Sequence, residues 1–244
     1  MAMGREQRAA GGRADGGSGP VAATIATDDL VRWLSRFAEL VADRREYLTE
    51  LDAAIGDADH GINMDRGLST VVARLPDLLA DGATPGSFTA GVARVLISTV
   101  GGASGPLYGT FFLRLGGALG GEAAVSPETF AAALRQGLDG VVARGRTQLD
   151  DKTMVDAMAP AVEAIESALA GRAGSSGLGW AAALRDAAVA AAAGRDRVTP
   201  LIARKGRASY LGERSAGHAD PGATSTILLF EALRDAFAGS ASSI

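Results

Sequence analysis

The stretch TDDLVRWLSRFAELVADRREYLTELDAAIG (27–56) sets the fold class of this 244-residue chain. Apolar side chains recur within it at intervals of three, four or seven residues, at Leu30, Leu34, Phe37, Val41, Leu48, Leu51 and Ile55. This spacing predicts one long helix with a single apolar face. Thr27 is the expected N-cap and Gly56 the expected stop. Asp52 would then lie in the last helical turn.

The rest of the chain repeats the helical pattern. Further helices are predicted near 62–75, 87–100, 106–119, 127–144, 153–170, 178–193 and 221–238. Glycine-rich stretches separate them, and no segment alternates with a period of two for long enough to form a sheet. We therefore expect an all-α fold in which eight helices, mostly joined by short connections, form one antiparallel domain over residues 27–244.

The composition excludes several classes of protein. Hydrophobic residues make up 47% of the chain, the formal net charge is −4, and cysteine is absent. No Lys/Arg-rich cluster indicates nucleic-acid binding, and no apolar run reaches the length of about 18 residues that a membrane helix needs. The lack of disulfides, thiolate metal sites and cysteine nucleophiles is typical of a cytoplasmic protein. Residues 1–26 are expected to form a disordered tail, with a transit peptide as the alternative.

An acidic cluster follows directly in the segment LDAAIGDADHGINMDRG (51–67), at Asp52, Asp57 and Asp59. Carboxylates offer hard oxygen ligands, which favour magnesium or calcium over zinc. An EF-hand is excluded, because a loop counted from Asp57 has Ile62 at position 6 and Leu68 at position 12. Such a triplet can hold two ions that share a phosphate chain, as in phosphoryl transfer. A solvent-exposed acidic loop is the alternative.

The segments HGINM (60–64) and VGGASGPLYGTFF (100–112) each lead into a predicted helix. Backbone N–H groups at a helix N-terminus attract anions, and glycines let a ligand approach the backbone closely. Ser104 is a candidate N-cap of the second helix. A capping or packing role for His60, and a tight interhelical turn in the second segment, are the alternatives to phosphate binding.

Two later polar segments complete the candidate site. ARGRTQLDDKTMVDAMAP (143–160) concentrates charges before a helix and is typical of a solvated loop. GRASYLGERSAGHADPGATST (206–226) is a long loop of the kind that is usually functional or disordered. It contains Arg207, a candidate phosphate contact, and it ends where the last helix opens, at Asp220-Pro221-Gly222. With helices running up and down, one end of the bundle can hold a nucleotide whose phosphates are bridged to metal by the aspartates.

Together, the blocks LDAAIGDADHG, GGASGPLYGT, DDKTM and GRASYLGERSAGHADPGATS resemble the L subunit, or nucleotide-binding domain, of dihydroxyacetone kinases. The resemblance runs from about residue 27 to 238. It implies an antiparallel eight-helix barrel that holds ADP or ATP at one end through two magnesium ions. It also implies that the magnesium ligands, which are the catalytic residues, are Asp52, Asp57 and Asp59.

The resemblance further implies a set of nucleotide contacts, which are His60, Gly61, Ile62, Asn63, Ala103, Ser104, Gly145, Met154, Arg207, Asp220, Pro221 and Gly222. The chain departs from the family at two positions where glycine is common. Ala58 stands in the metal loop, and Asp150 stands before the DKTM block. These departures are expected to stiffen the loop and to add negative charge near the nucleotide.

The same resemblance implies partners. In this family the triose binds covalently to a histidine of a separate K subunit, so we expect this chain to supply only the nucleotide and metal half of a kinase. Either ATP exchanges freely, or ADP stays bound and is rephosphorylated by a phosphohistidine protein of the phosphotransferase system. Two other hypotheses stay open at this point. One is a non-catalytic, nucleotide-loaded module that regulates a partner, and the other is an ATP domain for another acceptor, such as a four-carbon ketose or a fatty acid.

Overall fold

The computed structural model describes residues 23–170 and 177–238. Within these ranges the helices are α1 Thr27–Asp43, α2 Arg45–Ile55, α3 His60–Ala73, α4 Leu75–Leu78, α5 Pro85–Thr99, α6 Ser104–Leu119, α7 Pro127–Gly145, α8 Val155–Ala170, α9 Gly177–Val198 and α10 Pro221–Ala238. A 3₁₀ segment, Arg207–Ser215, precedes α10. Two short strands, β1 Ile25–Ala26 and β2 Ala124–Val125, pair in antiparallel fashion. The expectation of a single all-α domain is confirmed.

The prediction of one helix over 27–56 is wrong, because the segment breaks at Arg44 into α1 and α2. All side chains from 42 to 47 are exposed, so no burial holds the backbone straight there. The break leaves the predicted stop at Gly56 and the position of Asp52 in the last turn unchanged. The N-cap is Ala26 rather than Thr27, whose hydroxyl instead donates to the carbonyl of Ala83 at 2.8 Å.

The long helices form a closed ring. Each of α5 to α10 packs on its neighbour in the chain, α3 packs on both α1 and α5, and α10 returns to α1. The indole of Trp33 lies inside this circle of helices. Its centroid is 5.6 Å from that of the Phe112 ring and 5.9 Å from that of the Phe130 ring. Its indole N–H donates to the carbonyl of Leu229 at 2.9 Å, so the first and last helices are joined at the core.

The alternation of helix direction brings four connections to one end of the barrel. They follow α2, α5, α7 and α9, and residues from all four line the same cleft.

Ile25 is buried in the core, so the fold begins before the predicted boundary at residue 27. Residues 1–22 of the predicted tail lie outside the described residues. None of the helices in the described ranges combines the length and the apolar character needed to cross a membrane.

Candidate functional site

The four connections enclose a cleft of about 380 Å³. It brings together most of the predicted site residues, which are Asp52, Asp57, Asp59, His60, Asn63, Ala103, Ser104, Gly145, Met154, Arg207, Asp220, Pro221 and Gly222. Gly61 and Ile62 do not line it. Gly61 packs against α2, where a Cβ would lie 2.1 Å from the carbonyl oxygen of Arg45. The side chain of Ile62 faces outward and is 51% exposed.

The acidic triplet forms at the junction of α2 and α3. One carboxylate oxygen from each of Asp52, Asp57 and Asp59 lies within 4.8 Å of the others. The buried Asp52 is fixed by the loop itself, since its Oδ2 accepts the N–H groups of Asp59 at 2.9 Å and His60 at 3.1 Å. Gly56 permits this approach, because a Cβ there would lie 2.0 Å from Asp52 Oδ1. The loop therefore presents a preformed oxygen cluster.

The chemistry of this cluster fits a hard divalent cation. Three carboxylates at this spacing repel each other unless positive charge lies among them. Within the described residues, the one ion pair to the triplet joins Arg207 Nη2 to Asp57 Oδ2 at 2.9 Å, and the Arg207 side chain is 63% exposed. A single exposed guanidinium does not balance three carboxylates. Oxygen-only ligands of this kind suit magnesium, which also accepts ligands from substrate phosphates.

His60 is part of the cleft wall, and its side chain is almost fully buried there. Its Nε2 is 2.9 Å from Ser225 Oγ, and its Nδ1 is 3.1 Å from Ser104 Oγ. Burial lowers the pKa of His60 to about 4, although Asp52 and Asp59 oppose this shift. The imidazole is therefore uncharged at neutral pH. Ser104 is the first residue of α6 and Ala103 is its N-cap, so the predicted N-cap is displaced by one residue.

The glycine turn before α6 approaches the start of α3 closely. A Cβ on Gly101 would lie 2.7 Å from Asn63 Oδ1, so only glycine lets the two segments meet here. The Asn63 amide is held in place because its Oδ1 accepts from Arg66 Nη2 at 2.7 Å. The N-termini of α3 and α6 thus face the same cleft, as the sequence suggested for a phosphate-binding turn.

The charged segment 143–160 is not the solvated loop that its composition indicates. Asp151, Lys152 and Asp156 are all buried. The ammonium group of Lys152, which is 1% exposed, donates to three backbone carbonyls, those of Thr199 at 2.8 Å, Leu201 at 2.8 Å and Ser215 at 2.5 Å. Sequence reasoning missed this lysine, and the available signal was the DDKT block directly before a helix. Lys152 ties the segment that carries Arg207 to the start of α8.

The start of α10 closes the cleft on its remaining side. Pro221 is the first helical residue, as predicted, and Asp220 Oδ2 accepts the N–H of Ala223 at 2.7 Å. Burial raises the pKa of Asp220 to about 7, against the lowering effects of that hydrogen bond and of Lys152. Near neutral pH this carboxyl group is consequently poised between its protonated and ionised forms.

The cleft combines three kinds of surface. The acidic cluster lies on one part, and exposed basic side chains that sequence reasoning missed, Arg144 and Lys205, lie on another beside Arg207. Apolar contact is offered by Leu107, Val141 and Met154. Such a site suits a ligand with an apolar ring and an anionic chain that carries a divalent cation.

Both departures from the family pattern occur at left-handed backbone positions. Ala58 has φ +61° and Asp150 has φ +68°. Side chains with a Cβ are disfavoured in this conformation, whereas glycine adopts it freely. At Asp150 the cost of the left-handed conformation is offset in part, because the carboxylate pairs with Arg197 and the N–H donates to Asp156 Oδ1 at 2.6 Å. Ala58 has no side chain that can form such bonds.

The sequence pattern of the DAK2 domain matches residues 54–235. This chain belongs to the DAK2 domain family. One similar protein is the PEP-dependent dihydroxyacetone kinase, ADP-binding subunit DhaL, of Escherichia coli K12. It is 42% identical over 210 residues, which cover 86% of this DAK2 domain protein and 97% of that one. The corresponding subunit of the PTS-dependent enzyme of Lactococcus lactis is 36% identical over 88% of this chain and 100% of its own. The resemblance found in the sequence is confirmed.

Longer kinases also contain a region similar to this DAK2 domain chain. A D-erythrulose kinase of Mycolicibacterium smegmatis is 33% identical over 89% of this chain but only 38% of its own length. The crystal structure of the dihydroxyacetone kinase from C. freundii in complex with AMP-PNP and Mg²⁺ superposes with a TM-score of 0.65 at 22% identity. That match covers 96% of this chain and 38% of the other. At this level of identity the likeness establishes the shared fold.

Proposed function

We propose that this chain is the nucleotide-binding subunit of a dihydroxyacetone-type kinase. It holds ADP or ATP through two magnesium ions and transfers a phosphoryl group to dihydroxyacetone, or a related small hydroxyketone, on a separate K subunit. The observation that carries the proposal is the preformed triplet of Asp52, Asp57 and Asp59 in a cleft that also presents basic and apolar surface. The names of the similar ADP-binding subunits support it.

The acidic triplet is the metal-binding part of this proposal. Asp52, Asp57 and Asp59 would hold the ions, and phosphate oxygens would complete the coordination. When bound, magnesium neutralises the charge that develops on the transferred phosphoryl group. The chain's own contribution is to keep the carboxylates in place, through the two N–H groups that bond Asp52. Arg207, already paired with Asp57, adds positive charge at the phosphate end.

The remaining predicted contacts that line the cleft are assigned to the nucleotide itself. The N-termini of α3, α6 and α10 face one cleft, and helix N-termini favour the binding of a polyphosphate there. Gly145 and Met154 lie among the apolar lining residues, where a base can stack. Together, these contacts would orient the nucleotide as the phosphoryl donor. Much of the rate of phosphoryl transfer depends on such placement.

We assign the acceptor to a K subunit, because this chain covers nearly the full length of relatives that are themselves named as subunits. Those relatives are named PEP-dependent or PTS-dependent, which favours rephosphorylation of bound ADP by a phosphohistidine protein over free exchange of ATP. A four-carbon ketose is the second candidate acceptor, because the D-erythrulose kinase shares this domain. The acceptor specificity would then reside in the partner.

A coupled assay tests the proposal. The chain is supplied with dihydroxyacetone and either Mg-ATP or the phosphohistidine donor, with and without a K subunit. We expect turnover only with the K subunit, because phosphoryl transfer needs acceptor and donor in line. Robust turnover by the chain alone would show that the acceptor site is misplaced. Tight ADP binding without turnover under any pairing would favour the regulatory-module hypothesis.

Nucleotide binding is tested separately from turnover. Calorimetry with ADP should show binding that depends on magnesium and is lost in EDTA. Mg-ADP at about 100 times its dissociation constant should add roughly 2.7 kcal/mol to the free energy of unfolding. A melting temperature that saturating Mg-ADP leaves unchanged would contradict the assigned site.

A further inference from the structure

A chain of hydroxyl groups and one imidazole runs from the barrel core to the wall of the cleft. The Tyr108 hydroxyl lies 2.8 Å from Ser225 Oγ, which in turn lies 2.9 Å from His60 Nε2. On the other edge of the ring, His60 Nδ1 lies 3.1 Å from Ser104 Oγ. Tyr108 and Ser225 are fully buried, whereas Ser104 lines the cleft. The chain links the interior to a hydroxyl that a ligand can reach.

The number of protons limits how these bonds can be directed. A neutral imidazole has one ring proton, so one nitrogen donates and the other accepts, and each hydroxyl donates once. In one ordering, Ser104 donates to Nδ1, and the Nε2 proton goes to Ser225, which donates to the carbonyl of Gly222 at 3.0 Å. In the other ordering, Tyr108 donates to Ser225, Ser225 donates to Nε2, and the Nδ1 proton goes to Ser104.

Only the second ordering leaves the Ser104 proton available to a ligand. In the first, Ser104 presents only lone pairs to the cleft, and these would repel the acceptor-only oxygens of a phosphate. The second ordering leaves no buried carbonyl without a partner, because Thr226 Oγ1 still donates to the Gly222 carbonyl at 2.8 Å. A bound phosphate therefore favours the second ordering.

We propose that in the nucleotide complex His60 is a positioning residue whose Nδ1–H donates to Ser104 Oγ, which leaves the Ser104 hydroxyl free to donate a hydrogen bond to a nucleotide phosphate. This inference rests on the proposed nucleotide-binding function. It assigns the imidazole a place behind Ser104 rather than in contact with phosphate, since both ring nitrogens are already engaged. A hydrogen bond to a charged acceptor is expected to change affinity by about tenfold to a hundredfold.

The test is the tautomer of His60 in the full chain labelled with ¹⁵N-histidine. The chain has two histidines, and His218 is exposed, so only two rings contribute to the spectrum. With the site saturated by Mg-ADP, as judged by calorimetry, we expect a proton on Nδ1 of His60. If the site is saturated and Nδ1 carries no proton, the inference is overturned and the proposed function is not. Failure of Mg-ADP to bind overturns the proposed function and the inference with it.

Variants supply a second readout through the dissociation constant of Mg-ADP. Ser225→Ala removes the donor to Nε2, so affinity should fall severalfold and the Nε2–H form should become more populated. His60→Asn keeps a donor near the position of Nδ1 and should recover part of the affinity that His60→Ala loses. The control is Ser98→Ala, because that exposed hydroxyl donates only to carbonyls of its own helix. Unchanged affinity in both Ser225→Ala and His60→Ala would overturn the assignment.

Discussion

Ala58→Gly is expected to raise the free energy of unfolding, because Ala58 lies at φ +61° in the loop that carries Asp57 and Asp59, the proposed metal loop. A residue with a Cβ in the left-handed region costs about 1–2 kcal/mol relative to the right-handed one. Glycine relieves this cost but gains about 0.4–1 kcal/mol of conformational freedom in the unfolded chain. The difference predicts a net stabilisation of about 0.8 kcal/mol, or about 2 °C in melting temperature for a domain of this size.

The matched control is Ala132→Gly, the same chemical change at an exposed position inside α7. Right-handed helical backbone gives glycine no advantage, so this variant should lose about 1 kcal/mol. Urea unfolding of both variants in EDTA measures the two effects without contributions from bound metal. The decisive result is that Ala58→Gly raises the free energy of unfolding while Ala132→Gly lowers it. If Ala58→Gly destabilises the chain as Ala132→Gly does, the strain assigned to the metal loop is absent.

Three further changes test other parts of the site. Asp57→Asn removes one charge of the proposed metal site at constant size, so the affinity for Mg-ADP by calorimetry should fall to that of ADP in EDTA. Lys152→Met removes the ammonium donor to the carbonyls of Thr199, Leu201 and Ser215, of which that of Thr199 still accepts the N–H of Gly217, and should cost about 2 kcal/mol or more in urea unfolding. Asp220 binds a proton more tightly when folded, so its contribution to stability should be lost as pH rises from about 4 to about 7, and the stability of the wild type relative to Asp220→Asn should fall over that range.

Each of these changes has an outcome that contradicts its reasoning. Magnesium-dependent ADP binding that survives in Asp57→Asn would remove that carboxylate from the metal site. Wild-type stability in Lys152→Met would show that water satisfies the three carbonyls. A pH profile of Asp220→Asn that parallels the wild type would assign the pH dependence to another group.

The sequence by itself determined the all-α class, the order of the helices and the acidic loop. These features are local, since the spacing of Leu30, Leu34 and Phe37 reports a helical face and Gly56 marks where it ends. The triplet of aspartates could also be proposed as a metal site, because Asp52, Asp57 and Asp59 fall within one helical turn and the loop that follows it. What the pattern did not show is the break at Arg44, where a run of exposed side chains removes the packing that would keep one helix straight.

Only the tertiary structure decided which groups share the cleft and what state they are in. Lys152 belongs to a charged segment whose sequence predicts a solvated loop. It is buried instead, because three carbonyls from the distant 199–215 segment accept hydrogen bonds from its ammonium group. His60 is engaged on both nitrogens by Ser104 and Ser225, which belong to other helices. Burial and long-range hydrogen bonds depend on how the ring of helices closes, and residue spacing along the chain does not encode them.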